Sequence, residues 1–202
     1  MTRRIVYFAA LIALVIYAGA ASAQQLSLRQ ICDYLNELQT AQGGFTQINA
    51  DGTLSTGQIY IKRPGRIRFE YNAPDNTLVM AGGGQLAIFD PRSNAGPDRY
   101  QLRMTPLSII LRENVNLEAE DMVTNVVSDG TSTTVTAQDP DNPQYGNIQM
   151  VFTGSPVELR QWIVTDDLGT QTTVILNDLV AGGALNDRLF SIQSEMRARG
   201  NN

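Results

Sequence analysis

Lys62-Arg63-Pro64-Gly65-Arg66-Ile67-Arg68-Phe69-Glu70-Tyr71 is the stretch that decides how this chain folds. A basic Arg-Pro-Gly turn leads directly into a strand. Side chains alternate along a strand, so Ile67, Phe69 and Tyr71 share one face while Arg68 and Glu70 take the other. Gly57-Gln58-Ile59-Tyr60-Ile61, just upstream, reads as the partner strand. The hairpin therefore sets one cation, Arg63, at the rim of an apolar sheet face. That pattern points to a protein that holds something apolar.

Outward from this hairpin, strand signals fill most of the chain. Residues 45–49 and 56–62 flank the hairpin-type pair Asp51-Gly52. Strands are expected at 67–71, 77–81, 85–90 and 99–104, the last presenting Tyr100, Leu102 and Met104 on one face. Further strands are expected at 123–128 and 131–138, joined across Asp129-Gly130, and at 148–152, 159–165 and 172–176. Short strands at this spacing predict a mainly β fold: a single antiparallel sheet curved into a barrel or half-barrel. No composition break divides it.

Two segments are helical in pattern. Ser27-Leu28-Arg29-Gln30 is a capping box, and Leu28, Ile31, Leu35 and Leu38 follow at helical spacing, with Gly43-Gly44 as the stop. Thr105-Pro106 reads as an N-cap followed by proline in the first turn. Leu107, Ile110 and Leu111 then share a helix face, bounded by Arg112-Glu113-Asn114. A short apolar helix inserted in a sheet protein either covers one face or closes the core.

The N-terminus reads as an export signal. Arg3 and Arg4 precede an apolar run over residues 5–18, and Ala21-Ser22-Ala23 is a small-residue cleavage site. The run is shorter than the roughly 20 residues that cross a bilayer. The expected division is a signal peptide over 1–23 and one domain over 24–202, with a polar tail from about residue 195. Loss of the signal leaves 13 basic against 20 acidic residues, a balance that does not attract nucleic acid. Cys32 is the one cysteine, so no intrachain disulfide forms, and its place nine residues past Ala23 does not fit a lipid-anchored terminus. An exported, monomeric protein of the periplasm is expected.

Catalytic chemistry finds little support. The chain has no histidine, which removes the common nucleophile systems and the commonest zinc ligand. The aspartates sit in turns, where carboxylates serve local backbone hydrogen bonds. Asp139-Pro140-Asp141-Asn142-Pro143 lacks the glutamate of a calcium loop, and Gly82-Gly83-Gly84 lacks the lysine of a phosphate loop. No catalytic residue, metal or cofactor is expected. Met80, Met104 and Met150 fall in or at the ends of expected strands, and methionine adapts to varied apolar ligands.

Several motifs resemble those of the LolA family of periplasmic lipoprotein carriers. Gly44-Phe45-Thr46-Gln47 is similar to its opening strand. Residues 57–65 followed by Arg68-Phe69-Glu70-Tyr71 are similar to its central signature. Gln85-Leu86-Ala87-Ile88-Phe89-Asp90-Pro91 and Thr105-Pro106-Leu107 are similar to its next strand and the start of its lid helix. The resemblance extends to Phe190 and is specific as far as Leu111. It implies an incomplete antiparallel barrel whose open side is covered by helices and whose hollow takes acyl chains. It implies triacylated lipoproteins as cargo, an inner-membrane ABC transporter as donor, and an outer-membrane acceptor, or the outer membrane directly, as destination. It makes Arg63 the residue that governs the lid, and Pro106, Leu107, Ile110 and Leu111 the lid helix. The cavity wall is then expected from Ile67, Phe69, Tyr71, Met80, Ile88, Leu102, Met104 and Met150. Two other functions suit the same scaffold: a glycolipid or fatty-acid binding protein, and a regulatory domain that senses lipoproteins.

Overall fold

The computed structural model describes residues 25–93, 95–119 and 121–200. The signal peptide expected over 1–23 lies outside them. Helix α1 (Leu28–Glu37) opens the described chain. The Ser27 hydroxyl accepts from the Gln30 backbone N–H at 3.3 Å and the Ser27 N–H donates to Gln30 Oε1 at 3.0 Å. This reciprocal pair satisfies two N–H groups that the helix cannot satisfy itself. Ile31, Cys32 and Leu35 face inward.

Eleven strands then form one antiparallel sheet: β1 (Thr40–Ile48), β2 (Leu54–Lys62), β3 (Arg66–Tyr71), β4 (Leu78–Gly82), β5 (Gln85–Phe89), β6 (Asp98–Gln101), β7 (Val123–Ser128), β8 (Ser132–Gln138), β9 (Asn147–Thr153), β10 (Glu158–Thr165) and β11 (Gln171–Ala181). Their order in space is β6-β5-β4-β3-β2-β1-β11-β10-β9-β8-β7. The sheet is open, with β6 and β7 as its edges. Between those edges the chain folds back as the one-turn helix α2 (Leu107–Ile110), and helix α3 (Ile192–Ala198) closes the described chain.

The sheet buries two separate apolar clusters. The larger, on the concave face, joins α1 and α2 to residues such as Phe45, Phe69, Phe152 and Trp162. Edge-on aromatic contacts run through it: Phe45 to Tyr71 at 5.0 Å, Phe45 to Phe69 at 5.3 Å, and Phe69 to Trp162 at 6.3 Å between ring centroids. The smaller, on the convex face, consists of Leu78, Met80, Ala87, Phe89 and Ile192, with Met196 packed against it. Gly57 lies under the first cluster. A Cβ there would come within 2.1 Å of the Glu70 carbonyl oxygen and 2.6 Å of the Phe45 ring.

Three local expectations differ from the structure. Gly43-Gly44 does not stop α1; it lies inside β1, at a bulge against β11. A Cβ on Gly43 would sit 2.9 Å from the carbonyl oxygens of Asn177 and Asp178, so the glycine serves close backbone approach rather than chain reversal. The strand expected over 99–104 leaves the ladder after Gln101. Leu102–Met104 forms a 3₁₀ turn, with the Leu102 N–H bonded to the Gly84 carbonyl at 2.9 Å. Tyr100, Leu102 and Met104 therefore do not lie on one strand, although all three still reach the concave side. Pro106, not Thr105, holds the N-cap position of α2, and the Thr105 hydroxyl instead donates back to the Leu102 carbonyl at 2.8 Å. Helix α3 forms because Ile192 and Met196 are one turn apart and both reach the convex cluster.

Candidate functional site

Antiparallel neighbours alternate in direction, so the sheet has two rims. The β2–β3 turn, with Arg63, lies on one. The β1–β2, β3–β4, β5–β6, β8–β9 and β10–β11 turns lie on the other. A cavity of about 1390 Å³ occupies the concave side and reaches this second rim. It exceeds the roughly 300–1,000 Å³ of pockets for drug-sized molecules. Its inner wall is apolar: Phe69, Val79, Leu86, Ile88, Trp162, Val164 and Val174, with Pro106 and Leu107 at the start of α2 across from them. Nearer the mouth the wall turns polar, with Gln47, Asn49, Ser55, Asp75, Gln144 and Thr172.

The expected wall residues divide. Phe69, Tyr71, Ile88 and Met104 line the cavity. Ile67, Leu102 and Met150 belong to the concave cluster but sit in solid packing beyond the cavity wall. Met80 is on the opposite face, in the convex cluster under α3. The register gives the reason. Phe69 pairs with Val79, and Val79 with Ile88, whereas Met80 pairs with Arg68 and Ala87. Met80 and Ile88 thus point to opposite sides and cannot share a cavity. Trp162, Val164 and Val174 escaped selection. The signal for them was present, because Trp162 and Val164 alternate on β10 and Trp162 pairs with Val174.

Helix α2 is packed more completely than a one-faced helix. Leu107, Ile109, Ile110 and Leu111 are all buried, and only Leu107 among them borders the cavity. Its C-terminal end is tied to the Arg63 turn. The Gly65 N–H donates to the Leu111 carbonyl at 2.8 Å, from a backbone with φ +70° that suits glycine. Arg63 is 4 % exposed, not a solvated turn residue. Its Nε donates to the Arg112 carbonyl at 3.1 Å, its Nη2 donates to the same oxygen, and Nη2 also reaches Asn36 Oδ1 at 3.5 Å. Asn36 in turn grips the segment after α2, accepting from the Val115 N–H at 2.8 Å and donating to the Val115 carbonyl at 2.9 Å. Arg63 Nη1 is buried without a partner, and burial pulls the guanidinium below its ordinary pKa. The Arg63 side chain thus combines desolvation and an unmet donor with bonds to a carbonyl just beyond the C-terminal end of α2.

Tyr71 marks the boundary between the apolar and polar wall. Its hydroxyl donates to Gln47 Oε1 at 2.6 Å. Burial, reinforced by the Asp75 carboxylate, pushes the phenol up to about 12 from 10.0. The folded state therefore keeps a proton that the unfolded chain releases as pH rises from about 10 to 12. This contribution to stability is fully present below pH 10 and lost through that window, up to about 2–3 kcal/mol. Urea midpoints measured across this range should fall in the wild type and fall less steeply in Tyr71→Phe. Parallel curves would show that Tyr71 does not carry the dependence. Among the described residues, no group of three or more His, Cys, Asp or Glu is placed to hold a metal ion.

The family model described as outer membrane lipoprotein carrier protein LolA matches residues 36–193. An outer-membrane lipoprotein carrier protein of Coxiella burnetii is 23% identical over 185 residues, covering 87% of each chain. One from Azotobacter vinelandii is 22% identical over 185 residues, covering 88% of this chain and 86% of its own. A solved LolA superfamily protein from Nitrosomonas europaea aligns with 82% of this chain and 98% of its own, at 14% identity and a TM-score of 0.45. The matched residues run from the last turn of α1 through every strand and α2 into α3, and the chain belongs to the LolA family of outer membrane lipoprotein carrier proteins.

Proposed function

We propose that this protein works in the periplasm of a Gram-negative bacterium, binding the acyl chains of lipoproteins released from the inner membrane by an ABC transporter. It delivers them to an acceptor at the outer membrane or to that membrane itself, and it acts by binding, not catalysis. The observation that carries this reading is the large apolar cavity bordered by a short segment whose far end is tied down by Arg63 and Gly65.

The energetics suit a carrier. Each buried methylene is worth about 0.8 kcal/mol, so one sixteen-carbon chain represents about 12 kcal/mol. A protein that gained all of this would not release its cargo. If cargo must displace Leu107 and its neighbours, net affinity becomes the difference between two apolar contacts. Charge-assisted bonds that re-form between Arg63 and the Arg112 carbonyl then favour the empty state.

Trp162 is the chain's one tryptophan; it is 1 % exposed and lines the cavity. A lipopeptide carrying nitroxide-labelled acyl chains should quench its emission strongly in the mature protein. Unchanged emission at saturating lipopeptide would remove the acyl chains from this cavity. In cells, depletion of the protein should leave lipoproteins accumulated in the inner membrane. A normal distribution after depletion would overturn the carrier role.

A further inference from the structure

The open sheet has two edge strands, and one of them meets the cavity. Arg99, Tyr100 and Gln101 of β6 border the cavity, whereas β7 contributes none of its lining residues. All four residues of β6 are exposed. The pairing with β5 fixes which way the β6 main chain faces. Gln101 pairs with Gln85 and Arg99 with Ala87, while the next N–H along, that of Leu102, donates to the Gly84 carbonyl at 2.9 Å. Hydrogen-bonded and non-hydrogen-bonded pairs alternate in an antiparallel ladder. Tyr100 and Asp98 are therefore the residues bonded to β5, opposite Leu86 and Ile88. The main-chain N–H and C=O groups of Arg99 and Gln101 point the other way, off the edge of the sheet. No hydrogen bond among the described residues meets them.

Side chains do not account for the place of these two residues at the cavity. Leu86 and Ile88 face the cavity from β5, so Tyr100 faces it too. Arg99 and Gln101 share the side of Ala87, which belongs to the convex cluster. The Arg99 guanidinium meets the Met196 sulfur on that side. What Arg99 and Gln101 present beside the cavity is main chain.

Resting on the reading that acyl chains fill the cavity, we infer that β6 pairs with the main chain of the cargo polypeptide, taking the first residues after the acylated one into the sheet as a further edge strand. The acyl chains hold that polypeptide beside the edge, and an extended polypeptide brings unpaired N–H and C=O groups of its own. A strand of four residues is far too short to join two copies of this protein, which needs about 800 Å² from each partner. It suffices for a segment already tethered by its acyl chains, because the second contact is then intramolecular. Main-chain pairing accepts almost any sequence, with proline at a pairing position as the exception.

Tripalmitoyl-cysteinyl probes with nitroxide-labelled chains test this on the mature protein, with binding read from Trp162 emission. One ends in a simple amide and one carries a five-residue peptide. Two more carry the same peptide N-methylated at its odd or at its even positions. Alternate N–H groups of a strand point to opposite edges, so one methylated probe loses its bonds to β6 and the other keeps them. One should bind about fivefold weaker than the unmethylated peptide, and the other should match it. Gln101→Pro should erase this contrast and leave binding of the simple amide unchanged. The Gln101 φ of −73° suits proline, and its N–H is not part of the ladder, so the β5–β6 bonds survive. The proline removes the outward donor and sets its ring in the way of an incoming strand. Gln101→Ala, which keeps the N–H, should behave as the wild type. If Gln101→Pro does not fold, the contrast between the methylated probes on the wild type still decides. Equal binding of the two methylated probes, or a contrast that persists in Gln101→Pro, overturns the inference and leaves the carrier reading standing. Failure of the simple amide to bind defeats the carrier reading itself, and this inference with it.

Discussion

Arg63→Leu should retain cargo. In a purified relay from loaded carrier to an acceptor membrane, hand-over should slow about tenfold or more while uptake changes little. The reasoning starts from the burial of Arg63 at 4 % exposure with two donors on one carbonyl and a third nitrogen unmet. Hydrogen bonds from a charged group are worth roughly 1.5–3 kcal/mol. In the structure they hold the chain just beyond α2, and in the proposed carrier cycle cargo breaks them. Leucine removes this difference between the states, so the loaded form gains relative to the empty one. A change of about 1.4 kcal/mol is already tenfold in the release equilibrium. The fold itself should tolerate the change, because leucine also removes a desolvated charge and its unmet Nη1. A global stability loss of less than about 2 kcal/mol is expected. Equal transfer rates for wild type and variant would detach Arg63 from release. Slowed uptake together with slowed hand-over would point to general damage of the lid region.

Much of this arrangement was legible in residues 57–71. The Arg-Pro-Gly turn, the two alternating strands and the apolar face were readable because period-two alternation is a local property. The same holds for the capping box at Ser27 and for the hairpins at Asp51-Gly52 and Asp129-Gly130. What escaped was set by partners distant in sequence. Gly43 looks like a helix stop until β11 approaches it at 2.9 Å. Leu102 looks like a strand residue until its N–H turns to Gly84. The two-residue apolar pattern of Ile192 and Met196 is too short to announce a helix, and α3 is defined by the convex cluster it meets. The cavity wall was half legible for the same reason. Alternation separates two faces within one strand, but only the inter-strand register says which faces coincide. Met80 and Ile88 were each plausible alone and incompatible together once Val79 is placed opposite Ile88.

That difference in face yields the second large effect. Ile88→Trp should lower acyl affinity by tenfold or more with little loss of stability. The added ring has the cavity to enter, and excluding two methylenes of cargo costs about 1.6 kcal/mol, more than a factor of ten. Met80→Trp should do the reverse. Met80 is fully buried among Leu78, Ala87, Phe89 and Ile192, with Arg68 Nη1 at 3.9 Å from its sulfur, so there is no hollow for an indole. Overpacking there costs about 1–3 kcal/mol and loosens α3 from the sheet. Cargo affinity should stay at the wild-type value, since the concave face is untouched. Urea denaturation and quenching of Trp162 emission, each corrected for the tryptophan introduced by using Phe as a second substituent, separate the two effects. If Met80 variants lost cargo while Ile88 variants kept it, the acyl chains would lie against the convex face under α3, and the hollow beside Trp162 would have no part in carrying them.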